Sequence, residues 1–155
     1  MQFPTSMNSF AIRQLKRAVS SAPGPTKTAR DSIDFVIDDA SLLDLLEKSS
    51  GGPGDFMGCF VRGFSTANER KKAQLTSADD PDTEDGRYML YVCPECGDIS
   101  CGAFAARIRV TREATEWYDF AYENGYEPAH VMPSIGPFTF SRRDYDATVA
   151  AAAEV

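Results

Sequence analysis

The sequence predicts an α+β domain in which an antiparallel sheet of four to six strands is covered on one face by two or three helices. Three consecutive segments within residues 87–122 alternate apolar and polar side chains, with the period of two that is typical of strands. Apolar stripes at helical spacing occur elsewhere, each after a residue that can cap a helix. With 155 residues, the chain is long enough for one such domain.

The domain begins with a predicted strand and helix. Residues 33–37, IDFVI, alternate as a short strand. Asp39 or Ser41 can cap the helix that follows, since Ser41 lies three residues before Asp44 and LLDLL supplies the apolar stripe. The glycines after residue 50 end this helix.

A second strand and helix are predicted next. Residues 55–64 favour a strand, which Gly58 and Gly63 weaken. Thr66 and Glu69 have capping-box spacing and predict a short polar helix through Leu75. The polar tract over residues 76–86 is expected to be a loop.

The best-patterned region is a predicted antiparallel meander of residues 87–93, 103–111 and 115–122. Alternation in its third strand puts Trp117 on the face opposite Phe120. A last short strand is predicted at Phe138 and Phe140. Ser141 with Asp144 then caps a terminal helix, whose buried stripe consists of Tyr145, Val149 and Ala152.

Residues 1–30 are expected to be a basic, flexible extension of a single domain over residues 31–155. They contain five basic residues and no acidic one. Ile12, Leu15 and Val19 recur at near-helical spacing, which predicts a short amphipathic helix before the proline-containing run SAPGP. The segment lacks the apolar stretch of a secretory signal.

Three of the four cysteines lie within nine residues, Cys93 to Cys101. Cys93 and Cys96 form a CPECG knuckle, whose spacing lets both sulfurs point at one ion, and Cys101 follows. The candidate cofactor is zinc. A metal site, a reduced metal-free cluster and a redox dithiol or disulfide all remain open interpretations.

A zinc site needs a fourth ligand, and the sequence contains no second CxxC motif. The remaining candidates are Cys59, the single histidine His130, and a carboxylate such as Asp98. We expect Cys59 to supply the fourth thiolate from a neighbouring strand. His130 itself lies in a proline-rich loop, where a solvated residue is the ordinary interpretation.

Charge, hydropathy and residue content disfavour three classes of function: nucleic-acid binding, membrane spanning and hydrolysis by a catalytic triad. The net charge is −7, a poor match for nucleic acid, and no apolar run approaches the about 20 residues that span a bilayer. One histidine without a GxSxG motif disfavours a hydrolytic triad. An acidic, aromatic surface suits a basic protein partner, and the residues expected to form it are Trp117, Asp119, Tyr122, Glu123, Tyr126 and Glu127.

Residues 31–148 resemble a family of small uncharacterised bacterial proteins. The resemblance rests on the order of the segments DFVIDDASLLDLL, GDFMGCFVRGF, CPECGDISCG, DFAYEN and IGPFTFSRRDY, of which CPECGD with its following CG and DFAYEN are the most specific. It implies a bacterial, cytoplasmic origin and relatives among small immunity or interaction proteins.

Two functions from different classes follow. The favoured hypothesis is a non-enzymatic interaction module, such as an immunity or inhibitor protein, that binds a basic partner. The alternative is a thiol-dependent redox enzyme or a zinc-dependent enzyme that uses Cys93, Cys96 and Cys101. The CxxC follows a strand and precedes another, whereas a thioredoxin-like dithiol opens a helix.

Overall fold

A computed structural model describes residues 7–18, 28–52 and 54–155, which form an α+β fold of two antiparallel sheets and three helices. The predicted fold class is confirmed. The smaller sheet is β1 (Phe10–Arg17), β2 (Arg30–Ile37) and β3 (Ala40–Ser41). The larger sheet is β4 (Met57–Gly58), β5 (Tyr88–Val92), β6 (Ala103–Val110), β7 (Ala114–Glu123) and β8 (His130–Val131), with β9 (Phe138–Ser141) also paired to β7. The helices are α1 (Leu42–Ser49), α2 (Ser65–Ser77) and α3 (Arg142–Ala153).

The predicted N-terminal helix is wrong, because residues 10–17 form β1. This strand pairs with β2 from Phe10 opposite Ile37 to Arg17 opposite Arg30. The partner strand β2 lies beyond a linker, so the spacing of apolar residues within 10–17 could not reveal the pairing. The long-range pairing with β2 outweighs the helical pattern of this segment. Part of the predicted extension thus belongs to the domain. Val19 and residues 1–6 and 19–27 lie outside the described residues.

The predicted strand over residues 55–64 is reduced to the two residues of β4. Gly58 passes so close to Ile33 of β2 that a side chain there would collide with the Ile33 carbonyl oxygen. The Gly58 amide also donates to the Ser32 hydroxyl, over 3.0 Å. The segment therefore packs against β2 of the smaller sheet, and its strand pairing with β5 of the larger sheet is limited to Met57 and Gly58.

Two of the three predicted helix caps are confirmed. The Ser41 hydroxyl accepts the Asp44 amide at the start of α1, and the Ser141 hydroxyl accepts the Asp144 amide at the start of α3, each over 3.1 Å. The cap predicted at Thr66 is wrong: α2 begins at Ser65 without a side-chain cap and continues to Ser77, into the predicted loop.

The three-stranded meander is confirmed as β5, β6 and β7, but β7 contains a bulge that the sequence pattern did not predict. Ala105 pairs with Ala121, whereas Arg107 pairs with Tyr118, so the register shifts by one residue. Asp119 lies in this bulge with a left-handed φ of 54°. A bulge resets alternation along the strand. Trp117 and Phe120, predicted to face opposite ways, are consequently both buried in one core.

The two sheets share this hydrophobic core, where five aromatic side chains meet: Phe10, Phe35, Trp117, Phe140 and Tyr145. The Trp117 ring lies edge-on to Phe10 and Phe35, with centroids 5.2 and 5.1 Å away. Its indole N–H donates to the Tyr145 hydroxyl over 3.1 Å. The predicted stripe of α3, Tyr145, Val149 and Ala152, is fully buried.

Candidate metal centre

The loop between β5 and β6 brings three cysteines together. Cys93 directly follows β5, and Cys101 ends a short 3₁₀ turn, Ile99–Cys101, just before β6. The Gly97 amide donates to the Cys93 carbonyl over 2.8 Å, and Gly97 has a left-handed φ of 66° that glycine adopts without strain. This turn folds Cys96 back toward the strand ends.

The sulfurs of Cys93, Cys96 and Cys101 all lie within 4.8 Å of one another. Cys93 is half-buried, and Cys96 and Cys101 are exposed. The Cys96 and Cys101 sulfurs are 2.6 Å apart, and either can donate its proton to the other. The three cysteines predicted as metal ligands are therefore one cluster, which could hold a metal ion.

The three thiols are electrostatically unequal. Partial burial tends to raise the pKa of Cys93, but hydrogen bonds from the backbone amides of Cys96 and Glu95 outweigh it, so the pKa is lowered. A hydrogen bond with Cys96, together with desolvation, raises the pKa of Cys101 to about 11. Cys93 is thus the thiol best suited to carry a negative charge, while Cys101 stays protonated at neutral pH. A bound cation would deprotonate all three, because it stabilises each thiolate directly.

The cysteine loop is tied to both long strands of the smaller sheet. The Glu95 carboxylate accepts hydrogen bonds from the Thr28 amide over 2.9 Å and from the Arg17 guanidinium over 2.8 Å. These contacts lower the pKa of Glu95 to about 2, with the Thr28 amide as the larger cause. Arg30 donates to the Pro94 carbonyl over 3.0 Å. The loop that positions the thiols is therefore held at several points.

The structure does not bring Cys59 into the cluster. Its amide donates to the Leu90 carbonyl in an extension of the β4–β5 pairing, and its side chain packs against the core. Burial raises the pKa of the Cys59 thiol to about 12. Among the described residues, no further Cys, His, Asp or Glu joins the three sulfurs, and the Asp98 carboxylate instead accepts the Ser100 amide.

The six residues predicted to contact a partner do not form one surface. Trp117 is fully buried, and Tyr122 is half-buried with its hydroxyl against Gly102. Tyr126 is 76% exposed, and Glu127 is also exposed. Asp119 and Glu123 belong to a charge network around Arg87.

Sequence reasoning missed a buried arginine at the centre of that network. Arg87 is 3% exposed and donates to the Asp119 carboxylate over 2.7 Å and to the Glu123 carboxylate over 3.2 Å. It also contacts the Asp85 carboxylate, and Arg107 donates to Asp119 over 2.7 Å. Only the Asp85–Arg87 spacing is local. The other contacts depend on pairing between β5, β6 and β7, and on the bulge that directs Asp119 toward Arg87.

The charge network shifts the pKa values of two of its carboxyl groups, Glu123 and Asp85, in opposite directions. Burial, together with the adjacent Asp85 carboxylate, raises the pKa of Glu123. Burial also acts to raise the pKa of Asp85, but hydrogen bonds from Thr83 and Glu123 and the charge of Arg87 lower it overall. These acidic groups are occupied within the protein, which leaves them poorly suited to a partner.

Comparison with models of known protein families, with curated proteins and with solved structures found no match in any of the three. Within the described parts of the chain, no helix is long and apolar enough to cross a membrane.

Proposed function

We propose that this protein is a non-enzymatic protein-interaction module whose Cys93, Cys96 and Cys101 side chains bind one zinc ion. The observation that supports the zinc site is the convergence of three sulfurs within 4.8 Å on one anchored loop. Thiolate sulfur is a preferred zinc ligand at about 2.3 Å, which separates two ligands of a tetrahedral site by about 3.8 Å. The Cys96 and Cys101 sulfurs, now 2.6 Å apart, would move away from each other by about 1 Å.

The proposed zinc has a structural role. It would join the end of β5 to the start of β6 through Cys93 and Cys101, so that metal binding stabilises the loop between them. Three protein ligands are also the usual number in a catalytic zinc site. No histidine or carboxylate of the described residues joins this cluster to act as a general base, which favours the structural role.

The proposed partner is a basic protein, as expected for an immunity or inhibitor protein in a bacterial cytoplasm. The net charge of −7 supports this partner, because complementary charge accelerates association. The cysteine loop lies next to the loop after β7, since a side-chain carbon built on Gly125 would lie 3.7 Å from Ile99. Asp98, Tyr126 and Glu127 are exposed on these two loops, and we call them the loop-end surface.

Charge reversal tests the proposed surface. Replacing Asp98 and Glu127 by Lys should weaken binding to a basic protein that co-purifies with the native chain, and high salt should weaken the wild-type complex. Replacing Glu84 and Glu113 by Lys changes the net charge equally on exposed residues outside the loop-end surface. Calorimetric titration of both double variants measures the effect. Equal affinities in the two variants would contradict this location for the surface.

The short contact between Cys96 and Cys101 supports a second candidate, thiol–disulfide exchange. The pair would reduce a substrate disulfide: a Cys96–Cys101 disulfide forms, and the substrate sulfurs leave as two thiols that take up the two protons. Turnover of a small disulfide that Cys96→Ser abolishes, in protein without metal, would favour this candidate over the zinc module.

A further inference from the structure

A cleft of about 810 Å³ lies beside α2. This volume lies in the range of about 300 to 1,000 Å³ that small-molecule sites occupy. Its walls include the apolar side chains Met57, Val61, Phe64, Met89 and Val92. Phe64 is 47% exposed and borders the cleft, with the Arg30 guanidinium lying over its ring at 5.5 Å from the centroid.

Helix α2 supplies the polar side of the cleft. Ala67, Arg70, Lys71 and Gln74 line it, and their spacing of three and four residues puts them on one face of the helix. Asp82 is the one acidic residue in the lining. Residues 62–72 contain four basic residues and one acidic residue, in a chain that is acidic overall. The cleft therefore combines an apolar wall with a locally basic helix face.

The one carboxylate in the cleft lining is already hydrogen-bonded within the protein, whereas the Arg70 guanidinium remains available as a donor. Both Asp82 oxygens are engaged: Oδ2 accepts the Lys71 ammonium over 2.6 Å and the Met89 amide over 2.8 Å, and Oδ1 accepts the Gln74 side-chain amide over 3.1 Å. Arg70 has a single ion pair among the described residues, a 4.0 Å contact with Asp80 in which both side chains are more than three-quarters exposed. An exposed pair of this kind contributes little, so the Arg70 guanidinium can bind a ligand anion.

We propose that this cleft binds a small amphipathic organic anion. Its carboxylate or other anionic group binds Arg70, and its apolar body packs on Met57, Met89 and Phe64. A planar guanidinium binds a carboxylate with two parallel hydrogen bonds, which fixes the orientation of the ligand.

Two observations favour a small molecule, bound without reaction, over an added peptide strand. The Met89 amide and carbonyl are occupied by Asp82 and Lys71, so the edge of β5 offers no backbone pairing to an extended peptide at this residue. Cys59 also lines the cleft, but burial raises the pKa of its thiol to about 12, so it is not a thiolate nucleophile at neutral pH.

Fluorescence titration of the full chain with 1-anilinonaphthalene-8-sulfonate, followed by displacement with decanoate, tests the proposal. We expect saturable binding of one probe per chain and displacement by decanoate, with 1-decanol weaker because it carries no charge. Arg70→Gln should weaken decanoate binding about tenfold, since a charge-assisted hydrogen bond is lost. Lys72→Gln makes the same charge change on a residue of α2 outside the cleft lining. The decanoate affinity of this variant should stay within about twofold of the native value.

A cooperative thermal melt of each variant excludes binding of the probe to partly unfolded chains. The proposal is overturned if the native chain shows no saturable, decanoate-sensitive binding, if the Arg70 and Lys72 variants weaken it equally, or if 1-decanol binds as tightly as decanoate. Between Cys93 and Cys101 only Gly97 lines the cleft, and it has no side chain to contact the ligand. Cys96→Ser should therefore retain decanoate binding whether or not that variant keeps zinc, so this result is separate from the test of the cysteine cluster.

Discussion

Replacing Phe10 by Ala is expected to destabilise the whole domain, although Phe10 lies in a segment whose sequence resembles an extension. The side chain is 9% exposed and lies among Phe35, Trp117, Phe140 and Tyr145, with ring centroids 4.5 to 5.6 Å away. Removing a buried phenylalanine side chain costs about 3–5 kcal/mol, as lost burial plus a cavity. Since a domain of this kind has about 5–15 kcal/mol of stability, the loss is a large fraction of it.

Equilibrium urea unfolding, monitored by far-ultraviolet circular dichroism, measures this loss. The midpoint should fall with little change in the slope of free energy against urea concentration, because the surface exposed on unfolding is nearly the same. Lys16→Ala, an exposed position on the same strand, should change the free energy of unfolding by less than about 0.5 kcal/mol. A loss below about 1 kcal/mol for Phe10→Ala would refute the assignment of β1 to the core.

Two other perturbations have distinct expected outcomes. Because the folded-state pKa of Glu123 is raised, its contribution to stability is lost as pH rises through that pKa. Glu123→Gln should therefore raise the melting temperature at pH 7 and change it much less at pH 4; a decrease at pH 7 would contradict the network's electrostatics. Cys59→Ser should keep the zinc content of the native chain, measured by elemental analysis, because Cys59 lies outside the three-sulfur cluster; loss of the metal would restore Cys59 as the fourth ligand.

The elements that the sequence predicted correctly are those with local determinants. The Ser41 and Ser141 caps each depend on an amide three residues away, and the alternation of β5 and β6 needs only neighbouring residues. The cluster of Cys93, Cys96 and Cys101 was predictable for the same reason, since one loop carries all three sulfurs.

The features that were missed depend on distant parts of the chain. Phe10 reaches the core only because β1 pairs with β2 across the linker, and helical spacing in residues 12–19 concealed this strand. The bulge at Asp119 reverses the alternation of inward and outward side chains in β7 near Trp117. Trp117, which the sequence predicted as a partner contact, is therefore a core residue. Cys59 was chosen as a ligand by residue type alone, without knowledge of where β4 meets β5.

The measurement that tests the central claim most directly is the metal content of the full chain purified without chelator. We predict about one zinc per chain in the native protein and less than about a tenth in Cys96→Ser, because two thiolates form an incomplete site. Ser100→Ala, in the same loop but outside the sulfur cluster, should retain the metal. A native protein with less than about a tenth of a zinc per chain, recovered with three free thiols in the cluster, would contradict the account.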